Sequence, residues 1–123
     1  MLKQHVHTDI TTDQFTILHF IHQHEQVMSS QIAQSMGVGR SAITASVNRL
    51  VEKELIIRKR NKEDRRIVYL SLSEQGIHVV TETEKEIHRF IKGKLSHFPI
   101  EDIEGFLLAI EKLSVLMEDD EGV

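Results

Sequence analysis

Arg40, Ser41, Thr44 and Asn48 recur at spacings that set them on one side of a helix, beside Ala42 and Ala45, which are small enough to allow close approach to a surface. Arginine can bind guanine through two parallel hydrogen bonds, asparagine can pair with adenine in the same way, and serine or threonine can contact bases or phosphates. Reading of base edges is the chemistry these residue types offer. A second group follows: Arg58, Lys59, Arg60, Lys62, Arg65 and Arg66, interrupted by Glu63 and Asp64. From Gly39 to Arg66 nine basic residues stand against four acidic ones, a local charge of +5 in a chain whose net charge is −4. Phosphate binding needs clustered positive charge and not a basic protein overall, so the acidic total does not count against nucleic acid. Upstream, Ser29, Ser30 and Gln31 fall at an expected helix start, where free N–H groups and hydroxyls suit a phosphate. Simple capping explains Ser29 equally well.

Eight histidines (His5, His7, His19, His22, His24, His78, His88 and His97) raise a metal reading, since His19 and His22 are one helical turn apart and Glu25 is near. No tight ligand consensus is present, and a polar surface or interface accounts for them more simply, so neither a metal nor a cofactor is expected.

The elements that would position these groups follow from periodicity and caps. Thr11 and Gln14 have the spacing of a capping box and predict a helix over Thr12 to Gln23. Ser29 or Ser30 can cap a second helix, Gln31 to Met36; Gly37-Val38-Gly39 is a turn, and a third helix runs from Arg40 to about Lys53 with Ile43, Val47 and Leu50 inward. A short helix, a glycine turn and a second helix with a small polar face have the form of a helix-turn-helix. Leu55 to Arg60 and Ile67 to Leu72 read as strands of a hairpin with a cationic tip, Val68, Leu70 and Leu72 covering the core. Ser73 caps a long helix that Phe98-Pro99 stops, and a last helix spans about Glu101 to Met117, before a charge run, Glu118 to Glu121, that reads as a frayed, solvated end. The fold class is mainly α with one small β-hairpin: a head over residues 11–72 and long C-terminal helices over 73–118, together a single domain.

Those two helices carry about a dozen large apolar side chains, more than the head and hairpin can cover. Burying each is worth roughly 1.5–3 kcal/mol, so self-association into a homodimer is expected. The helix from Ser73 to Leu95 would span ~35 Å at 1.5 Å per residue, against ~34–36 Å between half-sites one DNA turn apart.

With 40% apolar and 28% charged residues, no stretch of ~18–20 apolar residues and no apolar N-terminal run, a cytoplasmic protein without membrane contact is expected. Cysteine is absent, which excludes disulfides, thiolate metal sites and thiol switches. No Gly-rich phosphate loop, nucleophile motif or pair of carboxylates in an apolar setting suggests an enzyme.

An ordered set of segments resembles the MarR family of bacterial winged helix-turn-helix regulators. Thr12-Asp13-Gln14-Phe15 through Leu18 resembles the family's second helix, and Gln31-Ile32-Ala33 through Met36-Gly37-Val38 its third. Ser41-Ala42-Ile43-Thr44 through Arg49-Leu50 resembles the recognition helix; Leu55-Ile56-Ile57-Arg58, Asp64-Arg65-Arg66 and Leu70 through Gly76 resemble the wing and the next helix start. The resemblance implies a homodimeric regulator of transcription, a ligand-relieved repressor on a pseudo-palindromic duplex. It also implies that Arg66 enters the minor groove with Asp64 holding it or its neighbour, and that a small effector binds near Phe15, His19, His22, Ile77, Val80 and Thr81. A zinc-responsive regulator of the same fold and a winged-helix protein-interaction module are the competing readings. Two departures stand out. Family members carry a longer N-terminal helix than the roughly ten residues preceding Thr11 allow, which leaves a short helix or a truncated start. The position before Leu55, commonly glycine, is Glu54, which would cost ~1 kcal/mol in a left-handed turn or force a different one.

Overall fold

A computed structural model describes residues 10–121, with side chains described through Glu118. Its order is α1 (Thr12–Gln23), α2 (Ser29–Met36), α3 (Arg40–Glu52), β1 (Ile56–Arg60), β2 (Val68–Leu72), α4 (Glu74–Leu95) and α5 (Ile100–Glu121). The charge run at Glu118 to Glu121 therefore continues the last helix.

The capping box at α1 forms as the spacing requires: Gln14 N–H donates to Thr11 Oγ1 at 3.1 Å and Thr11 N–H to Gln14 Oε1 at 3.2 Å. Gln14 is itself buried, and Lys53 Nζ donates to its Oε1 at 3.4 Å, tying the end of α3 to the start of α1. At α2 the expected cap is corrected. The helix begins at Ser29 with Met28 as N-cap, whose N–H donates to Gln31 Oε1 at 2.7 Å. The serines are thus the first helical residues; the Gln31 side chain takes the Met28 N–H, and the Gln31 and Ile32 N–H groups reach Met28 O.

Helices α2 and α3 end in the same hydrogen-bond pattern. Val38 N–H reaches Ala33 O at 3.1 Å and Gly37 N–H reaches Gln34 O; likewise Leu55 N–H reaches Leu50 O at 2.9 Å and Glu54 N–H reaches Val51 O. Both are Schellman ends, which need a left-handed residue: Gly37 has φ 67° and Glu54 φ 63°. The departure at Glu54 is accommodated by adopting the left-handed conformation. Ser73 then locks the turn, its Oγ donating to Glu54 O at 2.6 Å and its N–H to Leu55 O at 3.0 Å.

β1 and β2 pair antiparallel, Ile56 opposite Leu72, Arg58 opposite Leu70 and Arg60 opposite Val68. A single bridge from Val27 to Leu70 adds a third partner that periodicity had not revealed. Residues two apart share a face, so Ile56, Arg58 and Arg60 line up with Leu72, Leu70 and Val68. Only Ile56 and Leu70 on that face are fully buried; Val68 and Leu72 are half-buried, because the strand leaves the core as it turns cationic.

The core joins Ile17, Leu18 and Ile21 of α1, Ile32 of α2, Val47 and Leu50 of α3, and Val79 and Val80 of α4. Two units result, one ending at Ile87 and one beginning at His88. The division falls inside α4 and not at Ser73, since Gly76, Val79, Val80 and Thr83 are buried with the head. In the second unit Pro99 O accepts from Asp102 N–H at 3.1 Å and opens α5 one residue earlier than expected.

Candidate nucleic-acid interface

Burial of Ile43, Val47 and Leu50, each at 2% exposure or less, fixes the rotation of α3 and leaves Arg40, Ser41, Thr44 and Asn48 on the open side. Ala42 and Ala45 are exposed between them. The structure therefore brings these four polar residues to one surface, where a helix can lie against an edge of nucleic acid.

The hairpin tip is built by its own side chains. Asn61 Oδ1 accepts from Glu63 N–H at 2.8 Å and from Asp64 N–H at 3.0 Å, an Asx turn that sequence reading left unassigned, although asparagine at a turn start is its ordinary signal. The strands close across it through Asn61 N–H to Ile67 O at 2.8 Å. Asp64 then holds Arg66 in a fork: Nε lies 3.0 Å from Oδ1 and Nη2 2.9 Å from Oδ2, while Arg66 N–H reaches Oδ1 at 3.1 Å. These hydrogen bonds, the side-chain fork foremost, hold the Asp64 carboxyl below its ordinary value and raise the Arg66 guanidinium above its own. The Arg66 side chain nonetheless stays 90% exposed, so it is oriented without being withdrawn.

The other cations divide by their task. Arg60 Nη1 donates to Arg65 O and so braces the tip. Lys62 and Arg65 are exposed on the turn, and Lys59, opposite Tyr69, occupies the other face of the hairpin. Arg58 crosses from β1 to α3 and donates from Nη2 to Asn48 Oδ1, a pairing with no signal in the sequence because the residues are ten apart on different elements. Ser29 joins Arg58 and Arg60 around an open depression of about 420 Å³, whereas Ser30 is half-buried nearby in the chain and the Gln31 oxygen is engaged by the cap.

Of the six residues implied for an effector, Phe15, His19 and His22 lie on α1 and Ile77, Val80 and Thr81 on α4. Phe15 and His19 are neighbours, ring centroids 5.8 Å apart, and His22 is exposed one turn on. Thr81 donates to Ile77 O at 2.8 Å, and Ile77 is 43% exposed. Val80, at 0% exposure, belongs to the core. Glu84, not anticipated, lies 3.4 Å from His19 Nε2. Of the histidines, His5 and His7 fall outside the described residues, and the His24 ring stacks on Phe20. Among the described residues no three His, Cys, Asp or Glu side chains converge as a metal site, and no helix is long and apolar enough to cross a membrane.

The sequence profile of the MarR family matches residues 10–68, which take in α1 through the start of β2. The YusO protein of Bacillus subtilis, a solved structure, is 30% identical and superposes with a TM-score of 0.75, covering 86% of this chain and 75% of its own. The chain belongs to the MarR family.

Among the described residues five helices and a two-stranded hairpin form the winged helix of MarR proteins, with β1–β2 as its wing. The MarR chain is also 37% identical over 76 residues to the HTH-type transcriptional repressor MdtR of Bacillus subtilis, covering 62% of this chain and 49% of the relative. Streptococcus pneumoniae FabT, solved in complex with DNA, shares the fold at 24% identity and a TM-score of 0.76, over 90% of this chain and 78% of that one. The chain spans 49–59% of the length of three curated Bacillus subtilis regulators that it matches.

Proposed function

We propose that this chain regulates transcription by binding duplex DNA as a homodimer, α3 lying in the major groove and the wing tip reaching the adjoining minor groove. The observation that carries the reading is Arg66: a 90% exposed guanidinium held in a fork by Asp64 at the end of a projecting hairpin. An arginine in a narrow minor groove gains from the concentrated negative potential there, and prior orientation reduces the entropy lost on insertion. Arg40, Ser41, Thr44 and Asn48 supply the exposed polar face of α3, and a protein-binding version of the fold would need large apolar or acidic residues in their place.

The homodimer follows from the residues beyond His88. Phe106, Leu107, Leu108, Leu113 and Leu116 of α5 are all more than half exposed, and a second copy of the chain is the partner that would remove them from water. In this reading the head, with the first half of α4, reads DNA and the second unit assembles the pair. The repressor designation of MdtR and the DNA-bound FabT support repression at an operator. In this reading a small effector bound near Phe15, His19, His22, Ile77, Val80 and Thr81 relieves repression.

Arg66→Ala is expected to weaken operator binding at least tenfold at fixed salt with the melting temperature unchanged; equal affinity would refute the role of the wing tip. Selection of bound duplexes from a random pool should recover an inverted repeat. Recovery of unrelated sequences with no salt dependence would reject DNA binding itself.

A further inference from the structure

Two arginines of the wing are each held by one neighbour, and the neighbours differ in charge. Arg66 is forked against a carboxylate, Asp64. Arg58 is held by an amide, the side-chain oxygen of Asn48. A guanidinium has donors only, so the amide atom it meets must be the carbonyl oxygen. Both holds fix an orientation, but they leave different fields. Seen from a phosphate, the Asp64 carboxylate offsets part of the charge of the more exposed Arg66, whereas the Arg58–Asn48 pair keeps a whole positive charge. With one lone pair of its oxygen engaged, Asn48 is also turned toward Arg58 and less free to take the orientation that a two-bond contact with adenine requires.

The surroundings point the same way. Arg58 and Arg60 border the open depression that Ser29 shares, and its remaining lining, Val68 and Leu70, contains no acidic group. The depression thus places cations from β1 beside the N-terminal turn of α2, and Arg58 reaches α3 through its hydrogen bond to Asn48.

We propose that Asn48 is a positioning residue, not a base reader: it orients Arg58 toward a phosphate at the junction of recognition helix and wing, and its neutrality leaves that cation at full strength. The inference rests on the DNA-binding reading above. It is tested by salt titration of the affinity of the full chain for a selected duplex. Asn48→Asp preserves an acceptor for Arg58 but cancels its charge. The slope of log K against log salt should therefore fall by about 0.9, one phosphate's worth, with the melting temperature retained, and Arg58→Ala should lower it equally. Asn48→Ala should weaken binding about threefold to tenfold alone and not at all in the Arg58→Ala background, as coupling through one arginine demands. An unchanged slope in Asn48→Asp would overturn the proposal, as would a loss confined to duplexes altered at one base pair, which would make Asn48 a direct reader. Wild-type protein that binds no duplex would bring down the DNA reading and this inference with it; a salt-dependent wild type with uncoupled variants would bring down this inference alone.

Discussion

Helices α1 and α5 both carry apolar residues at helical spacing, and they dispose of them in opposite ways. Ile17, Leu18 and Ile21 of α1 are 1%, 0% and 4% exposed. Leu107, Ile110 and Leu113 of α5 are 58%, 47% and 56% exposed. Composition does not separate the two helices; their surroundings do. Around α1 its own unit supplies α3, β2 and the start of α4, whereas the apolar side chains of α5 are exposed. A helix apolar on most sides is a buried helix in its working state. Substitutions in the head should therefore act on folding, and substitutions in α5 on assembly.

The largest effect should come from Gly76→Ala. A Cβ built there would lie 2.2 Å from Leu55 O, a backbone atom pinned by the hydrogen bond from Ser73 N–H. Overpacking of this kind costs roughly 3 kcal/mol, about 12 °C or more in melting temperature for a domain of this size. A thermal melt near the wild-type value would show that the start of α4 is not locked to the head.

Leu113→Glu should do the reverse, leaving the melt of the head near wild type and shifting dimer toward monomer. Removing one buried leucine from an interface costs about 1.5–3 kcal/mol, at least a tenfold rise in dissociation constant, readable by sedimentation. If Leu113→Glu unfolded the head as readily as Gly76→Ala, the contrast between the two regions would collapse.

Much of this was legible in the residues and some was not, for physical reasons. The start of α1 follows from a capping box whose two partners are three residues apart, so the signal is local. The rotation of α3 follows from Ile43, Val47 and Leu50, and the hold of Asp64 on Arg66 is similarly a matter of near neighbours. The Asn48–Arg58 and His19–Glu84 pairs join separate elements, and no periodicity encodes them. Gly76 was legible as part of a helix start, but its reason, the close approach of Leu55 O, exists only once the turn at Glu54 brings the two segments together. The start of α2, expected at Gln31 behind a Ser29 or Ser30 cap, lies two residues earlier, because Met28 offers no capping side-chain oxygen to mark it and the Gln31 side chain takes the Met28 N–H.

The paired helix ends sharpen the comparison within the head at smaller scale. Gly37 and Glu54 occupy the same place in the same motif, and a Cβ at Gly37 would meet nothing within 4 Å. Any cost of Gly37→Ala is therefore one of backbone conformation alone, roughly 1 kcal/mol. Glu54→Gly should raise stability by a similar amount, offset in part by added freedom of the unfolded chain. Denaturant titrations of the two variants should move in opposite directions; movement in the same direction would mean that Ser73 holds the α3 end in a state glycine does not favour.

The smallest effect expected is on pH dependence, and it isolates the wing tip from both regions. The Asp64 carboxyl is held below its ordinary value of 3.8 by the fork to Arg66. A carboxyl with a depressed folded value contributes in full above its unfolded value and loses that contribution as pH falls through the folded one. The Arg66 Nε–H resonance should thus stay constant from neutral pH down to about 4 and shift only below it, with no such step in Asp64→Asn. Global stability should barely follow, because a pair this exposed is largely screened by water. A step centred above the ordinary value would mean that the fork does not persist in solution, and Arg66 would then reach its groove without prior orientation.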